Sequence, residues 1–185
     1  MADAMRLRSI ALLCWLLWMP CSHAAAQSAE RSDLERQVKA AYLYKFGSYV
    51  EWPERALAAG DGNILIGVLG SGELADELSK VVAGRVINGH QIVVHKLRPG
   101  DPLSGMHIVF IASGSNDRLG EILAGLKGQP VLTVTESDSG LAMGSMINFI
   151  VVGGRLRFEV APKAAQHGSL NISARLLAAA VRVSP

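Results

Sequence analysis

Cysteine is nearly absent: Cys14 and Cys21 are the only 2 in 185 residues, and both lie in the first stretch of the chain. Beyond Cys21 there is no disulfide framework, no thiol nucleophile and no cysteine-ligated metal, so stability there must come from packing. Charge of one sign is lacking too. The net charge is +2 and charged residues make up 18%. That leaves no basic excess for nucleic acid and no block of like charge for a tail or membrane-surface patch. Aromatic residues are 5%. No internal repeat or low-complexity segment occurs. The longest uncharged apolar run, Ser9 to Pro20, is too short to cross a bilayer core of roughly 30 Å as a helix. What is present is a chain with 50% hydrophobic residues, 19 Gly and 7 Pro, long enough for one domain with its own core.

The first 26 residues read as a cleavable secretory signal. Arg6 and Arg8 form the basic start, Ser9 to Pro20 the apolar core, and Cys21-Ser22-His23-Ala24-Ala25-Ala26 supplies small residues for the peptidase. Trp18-Met19-Pro20 before Cys21 makes a poor lipoprotein signal. Cleavage is expected at Ala26, to within two residues. Residues 27–185 then form a single periplasmic domain. Losing Arg6, Arg8 and Asp3 lowers the net charge by one.

Within that domain, helical and strand periods alternate. Ser28 to Tyr49 reads as a helix, capped at Ser32 or Asp33, with Val38, Ala41, Tyr42, Lys45 and Phe46 at helical spacing. Trp52-Pro53 ends it. Asn63–Leu69, Gln91–Leu97, His107–Ala112 and Pro130–Thr135 read as strands. Glu73–Val82 and Asp117–Leu126, with Asn116 as a cap, read as the helices between them. Strand–helix alternation of this kind predicts an α/β fold: a layered α-β-α sandwich with a largely parallel sheet. A β-hairpin and helix follow at the C-terminal end. In the hairpin, Met146–Val152 and Arg155–Val160 flank Gly153-Gly154, a two-residue loop suited to a type I′ turn. The turn sets the register. Ile147/Val160, Phe149/Phe158 and Val151/Leu156 share a face expected to pack on the core. Asn148/Glu159, Ile150/Arg157 and Val152/Arg155 share the other. The final helix is predicted over Ser169 to Val183, with Ile172, Leu176, Leu177, Ala180 and Val181 on one side.

Two surfaces stand out as partner contacts. Tyr42, Tyr44, Phe46, Tyr49 and Trp52 gather aromatics in one stretch; Tyr44 and Trp52 are the members expected to be exposed as interface anchors. The outer hairpin face, with Ile150 and Val152 ringed by Arg157 and Glu159 and followed by Lys163, is the second. A third region is a crevice for a small polar ligand, formed where loops meet at strand carboxyl ends: Ser71 and Gly72, Ser113 and Ser115, and Ser137. Glu136 and Asp138 on the last loop read as solvated turn residues.

No catalytic constellation is legible. Gly70-Ser71-Gly72-Glu73-Leu74-Ala75 fits a relaxed dinucleotide pattern. Yet Glu73 would repel phosphates, and Lys96-Leu97-Arg98 replaces the acidic residue expected after the next strand. His90, His95, His107 and His167 lack metal-ligand spacing, and no nucleophile elbow occurs. Neither a cofactor nor a metal is expected.

The order of several segments resembles the YfiR-like family. They are Lys39-Ala40-Ala41-Tyr42-Leu43-Tyr44-Lys45-Phe46 with Glu51-Trp52-Pro53, Ile64–Gly70, Ile108–Ile111, Val131–Val134, Gly144–Phe149, Arg157–Val160 and Leu170–Leu177. The resemblance spans nearly the whole chain after the signal. It implies a periplasmic α/β sandwich domain, often dimeric, that binds the periplasmic domain of an inner-membrane diguanylate cyclase. The bound cyclase is held inactive; release raises cyclic-di-GMP and favours biofilm. Two features depart from the family: Met106 stands where a cysteine often precedes the strand, and the family's other disulfide cysteines are missing. Redox control therefore does not carry over, and any homodimer is non-covalent. The alternative reading is a periplasmic small-molecule binding or sensor protein.

Overall fold

A computed structural model describes residues 21–58 and 61–184. The apolar signal core, Ser9 to Pro20, lies outside them. The chain separates into two units, residues 1–35 and 36–185. The described part of the first is the opening of helix α1 (Cys21–Tyr49), with Leu34 exposed. Ser32 and Asp33 sit inside that helix rather than capping it.

In the second unit, α1 is followed by strand β1 (Val50–Glu51), helix α2 (Glu54–Ala58) and strand β2 (Ile64–Leu69). Next come α3 (Gly72–Val82), β3 (Val86–Ile87), β4 (His90–Leu97) and β5 (Ile108–Ile111). A 3-10 turn over Ser113–Arg118 leads into α4 (Leu119–Leu126), and β6 (Leu132–Thr135), β7 (Ile147–Val152) and β8 (Arg155–Val160) complete the main strands. The chain closes with α5 (Pro162–His167), β9 (Asn171–Ile172), α6 (Ala174–Ala179) and β10 (Arg182–Val183).

The main sheet has 8 strands in the order β10-β8-β7-β6-β5-β2-β4-β3. From β4 to β7 every pairing is parallel, while β7/β8 and β3/β4 are antiparallel. This is the layered α-β-α sandwich expected from the alternation of periods. Successive residues of a strand point to opposite faces, and the core divides accordingly. Ile64, Ile66 and Val68 of β2, with Ile108 and Phe110 of β5, pack with Leu43 and Phe46 of α1 and with Leu74 and Leu78 of α3. The other face sets Leu69, Val109 and Ile111 against Leu119, Leu123 and Leu126 of α4. Strands covered on both faces read as continuous apolar runs, which is why β2 and β5 do.

The hairpin register holds at all six pairs, from Ile147↔Val160 to Val152↔Arg155. Gly153 at φ 58° and Gly154 at φ 72° make the type I′ turn. At its base, Phe149 and Phe158 lie 5.7 and 5.1 Å from Phe46 and are joined by Tyr42. Aromatic pairs of this kind contribute about 0.5–1.5 kcal/mol each beyond area burial, so they tie α1 to the hairpin.

The C-terminal segment departs from expectation. Ser169 to Val183 is not one helix. Asn171 and Ile172 pair antiparallel with Glu51 and Val50, Ser173 caps the six-residue α6 through Leu176 N–H, and Ala180 turns extended. Arg182 and Val183 then pair parallel with Glu159 and Val160. Alanine favours helix by a few tenths of a kcal/mol per residue. Satisfying the open edge of β8 and pairing Arg182 with Glu159 outweighs that. The short helices α2 and α5 also go beyond the sequence reading. Before α4, residues 113–118 form a 3-10 turn, and Arg118 rather than Asn116 takes the cap position.

Candidate partner-binding surface

The hairpin outgrows the sheet that carries it. β6 ends at Thr135, and β7 pairs with it only through Ile147 and Asn148. On the opposite flank β10 pairs only with Glu159 and Val160. From Ile150 to Arg157 the two strands are therefore paired with each other alone, forming an arm that projects past the sheet. The arm's apolar tip is uncovered. Val151 is 62% exposed and Val152 47%. Val151 was expected to pack on the core with Leu156. Its face does so at Phe149 and Phe158, but Val151 lies beyond the reach of α1 and stays in solvent. Val181 and Val183, alternating with Arg182 on the neighbouring edge, add two more exposed valines on the same sheet face as Val151.

Charge at the arm is basic. Arg155 and Arg157 are both exposed. The acidic member of this face, Glu159, is 9% exposed and accepts a hydrogen bond from Arg182 Nε at 2.7 Å. The bond and the carboxylate's charge raise the Arg182 pKa further above its ordinary value. Arg157 instead stands opposite Ile150. The arm thus offers Val151, with Val181 and Val183 on the neighbouring edge, on one face, and Val152 beside Arg155 and Arg157 on the other, a tip suited to an apolar surface bordered by acidic groups.

Of the six partner positions predicted from sequence, the structure brings Ile150 and Arg157 together on the arm. Glu159 sits beside them but is buried and paired. Lys163 is exposed on α5, beyond the hairpin base. Tyr44 is half-buried, with the Arg85 guanidinium 5.1 Å from its ring. Trp52, expected to be exposed, is buried. Its indole Nε1 donates to the His107 carbonyl at 3.3 Å, so an apolar body and a satisfied N–H hold it inside. Val152 is exposed on the outer face, as expected of it, whereas the exposure of Val151 is not legible in the sequence because strand alternation says which face a residue takes, not where its cover ends.

The predicted ligand crevice is assembled in part and largely satisfied from within. Ser71 caps α3 by accepting from Leu74 N–H, and Gly72 opens that helix. Ser113, past the end of β5, donates its N–H and hydroxyl to Glu136 Oε1 at 3.1 and 3.4 Å. Glu136 is also ion-paired with Lys39 of α1, and Glu73 with Arg36 at 2.6 Å. Glu136 is therefore not a solvated turn residue; it ties α1 to the carboxyl ends of β5 and β6. Ser137 donates its N–H to Asn148 Oδ1 at 3.0 Å, and its hydroxyl lies 3.4 Å from that of Ser139. The Ser115 side chain lies outside the described residues.

Behind Ser137, the β6–β7 connection folds over a buried polar cluster. Thr135 Oγ1 donates to Asn148 Oδ1 at 2.8 Å, Met146 N–H donates to Thr133 Oγ1 at 3.0 Å, and the Ser145 hydroxyl donates to Ile147 O at 2.7 Å. Gly140 lies so close to Thr135 and Asn148 that a Cβ there would overlap both side chains. This closed cluster supports the base of the arm.

The arm, the open β8 edge and the α1 aromatic anchor all fall inside the region that matches a known family model. The match covers residues 36–181 and is described as YfiR/HmsC-like. The chain belongs to the YfiR/HmsC-like family.

Proposed function

We propose that this protein is exported to the periplasm, docks through the β7–β8 arm on an inner-membrane signalling protein, a diguanylate cyclase, and inhibits it. The family is one of periplasmic regulators of cyclic-di-GMP signalling rather than of enzymes. The carrying observation is the uncovered tip of the arm, with Val151 on one face and Val152, Arg155 and Arg157 on the other, since exposed apolar groups projecting on a firmly anchored element mark an interaction site. Binding only the inactive form of the cyclase would hold it there by population shift. Cyclic-di-GMP, and with it biofilm formation, would then rise on release. Export rests on the basic start and apolar core of the first 26 residues. Self-association, where it occurs, is non-covalent.

The test is capture from detergent-solubilised host membranes using the full chain expressed with its own leader and purified from the periplasm. Wild type should retain a membrane protein bearing a cyclase domain, and Val151→Asp/Arg157→Glu should lose it. Capture of no signalling protein by wild type would overturn the reading. Equal capture by both would move the interface away from the arm. The second reading, a small-molecule sensor, is favoured by a separate cavity at the carboxyl edge of the sheet.

A further inference from the structure

That cavity has a volume of about 300 Å³ and lies on the α4 side of the sheet, away from the arm. It opens between the loop after β4 and the 3-10 turn after β5, beside the end of β2. The chain reverses its direction of progress across the sheet here: β2 leads outward to β4, then back past itself to β5. In open α/β sheets, crevices at the carboxyl ends beside such a reversal are where small ligands bind, and the volume lies at the lower end of the range for ligand pockets.

Its lining is of two kinds. Leu69, Leu103 and Ile122 form an apolar floor continuous with the core cluster under α4. Arg98 and Arg118 stand at the rim, their side chains 89% and 60% exposed. Each has a local acidic neighbour. Arg98 Nε is 3.8 Å from Asp101, and Arg118 Nε is 3.3 Å from Glu121. Exposed pairs at i,i+3 contribute little and are readily exchanged. Asp101 is moreover engaged by the backbone, accepting from Arg98 N–H at 2.8 Å to close the turn. The Nη groups of both arginines make no hydrogen bond among the described residues. A guanidinium fork matches a planar carboxylate with two parallel hydrogen bonds. Asp117 completes the rim. Two arginines set against Asp101, Asp117 and Glu121 leave no net positive potential for a polyphosphate.

We infer that this cavity binds a small organic monoanion, a carboxylate carried on a short apolar body, with Arg98 and Arg118 holding the carboxylate and Leu69, Leu103 and Ile122 the body. Occupancy would tie the β4–β5 loop to the start of α4. The inference goes beyond the inhibitory reading and does not depend on it, because the test needs no partner protein.

The test is titration of the purified protein, by calorimetry and by amide chemical shifts, with 3-phenylpropionate, its neutral counterpart 3-phenylpropan-1-ol, and inorganic phosphate. Saturable binding of the carboxylate is expected, with shifts centred on Leu103 and Ile122. The alcohol should bind about ten-fold more weakly or less, and phosphate alone should not bind. Arg98→Gln/Arg118→Gln, with an unchanged melting temperature, should bring the carboxylate down to the level of the alcohol. Equal binding of carboxylate and alcohol, undiminished binding by the double variant, shifts centred elsewhere, or no saturable binding at millimolar carboxylate would each overturn it.

Discussion

The Trp52 and His107 rings stand nearly perpendicular, at 74° with centroids 6.0 Å apart, in the buried angle between α2 and β5. His107 Nδ1 accepts from Leu65 N–H at 3.0 Å, which puts the ring proton on Nε2, 3.1 Å from the Ala56 carbonyl. The imidazole thus joins β2 to α2 in its neutral form.

A pH dependence follows from that arrangement. Burial lowers the His107 pKa from 6.5, the Ala56 bond opposes the shift, and the charge of His90 adds to it. The unfolded chain then binds the proton more readily than the folded one, so this contribution to stability is complete above about pH 6.5. It is lost as the pH falls from there toward the depressed folded value, below which it levels off. Urea denaturation midpoints taken between pH 7.5 and 5 should fall with acid. His107→Gln should flatten that slope whatever it does to the absolute midpoint. An identical slope in the variant would contradict the assignment.

Arg182→Ala should lower the denaturation midpoint more than Arg157→Ala. Arg182 neutralises the buried Glu159 carboxylate and holds β10 on the sheet edge, whereas Arg157 meets solvent opposite Ile150. Amide exchange should show Val181–Ser184 loosening in the first variant alone.

Gly140→Ala should destabilise by about 1–3 kcal/mol, because the added methyl overlaps Thr135 and Asn148 in a packed, polar surrounding. Asn148→Ala should cost a similar amount, leaving the Thr135 hydroxyl and the Ser137 N–H without their shared acceptor. Chemical denaturation measures both. Combined, they should be less than additive, since both relax one cluster.

Val151→Asp should leave stability within about 0.5 kcal/mol of wild type, as expected of an exposed site away from caps and networks. A large loss of stability would mean that the arm tip is packed in solution.

Local pattern was a good guide where the chemistry is local. Gly153-Gly154 demands positive φ twice, so the hairpin and its register were legible residue by residue. The uninterrupted apolar runs of β2 and β5 announced a covered parallel sheet. The site was less legible. Trp52 looked like an exposed anchor because nothing near it in sequence reveals the His107 carbonyl across the fold. Glu136 looked solvated because its partner Lys39 is 97 positions away.

The C-terminal segment shows the same division. Its alanines and leucines favour a helix by propensity, and over Ala174–Ala179 they form one. On either side, β9 and β10 are extended because Val50–Glu51 and Glu159–Val160 present open edges that only the assembled fold brings there. The alternation of periods, the tight turn and the absence of cysteine beyond residue 21 are legible in the amino-acid order, since each depends on residue type and near neighbours. The tertiary structure alone decided which apolar residues run out of cover, which charges find partners and where the carboxyl-edge cavity opens. Burial and pairing at those places depend on residues far apart in the chain.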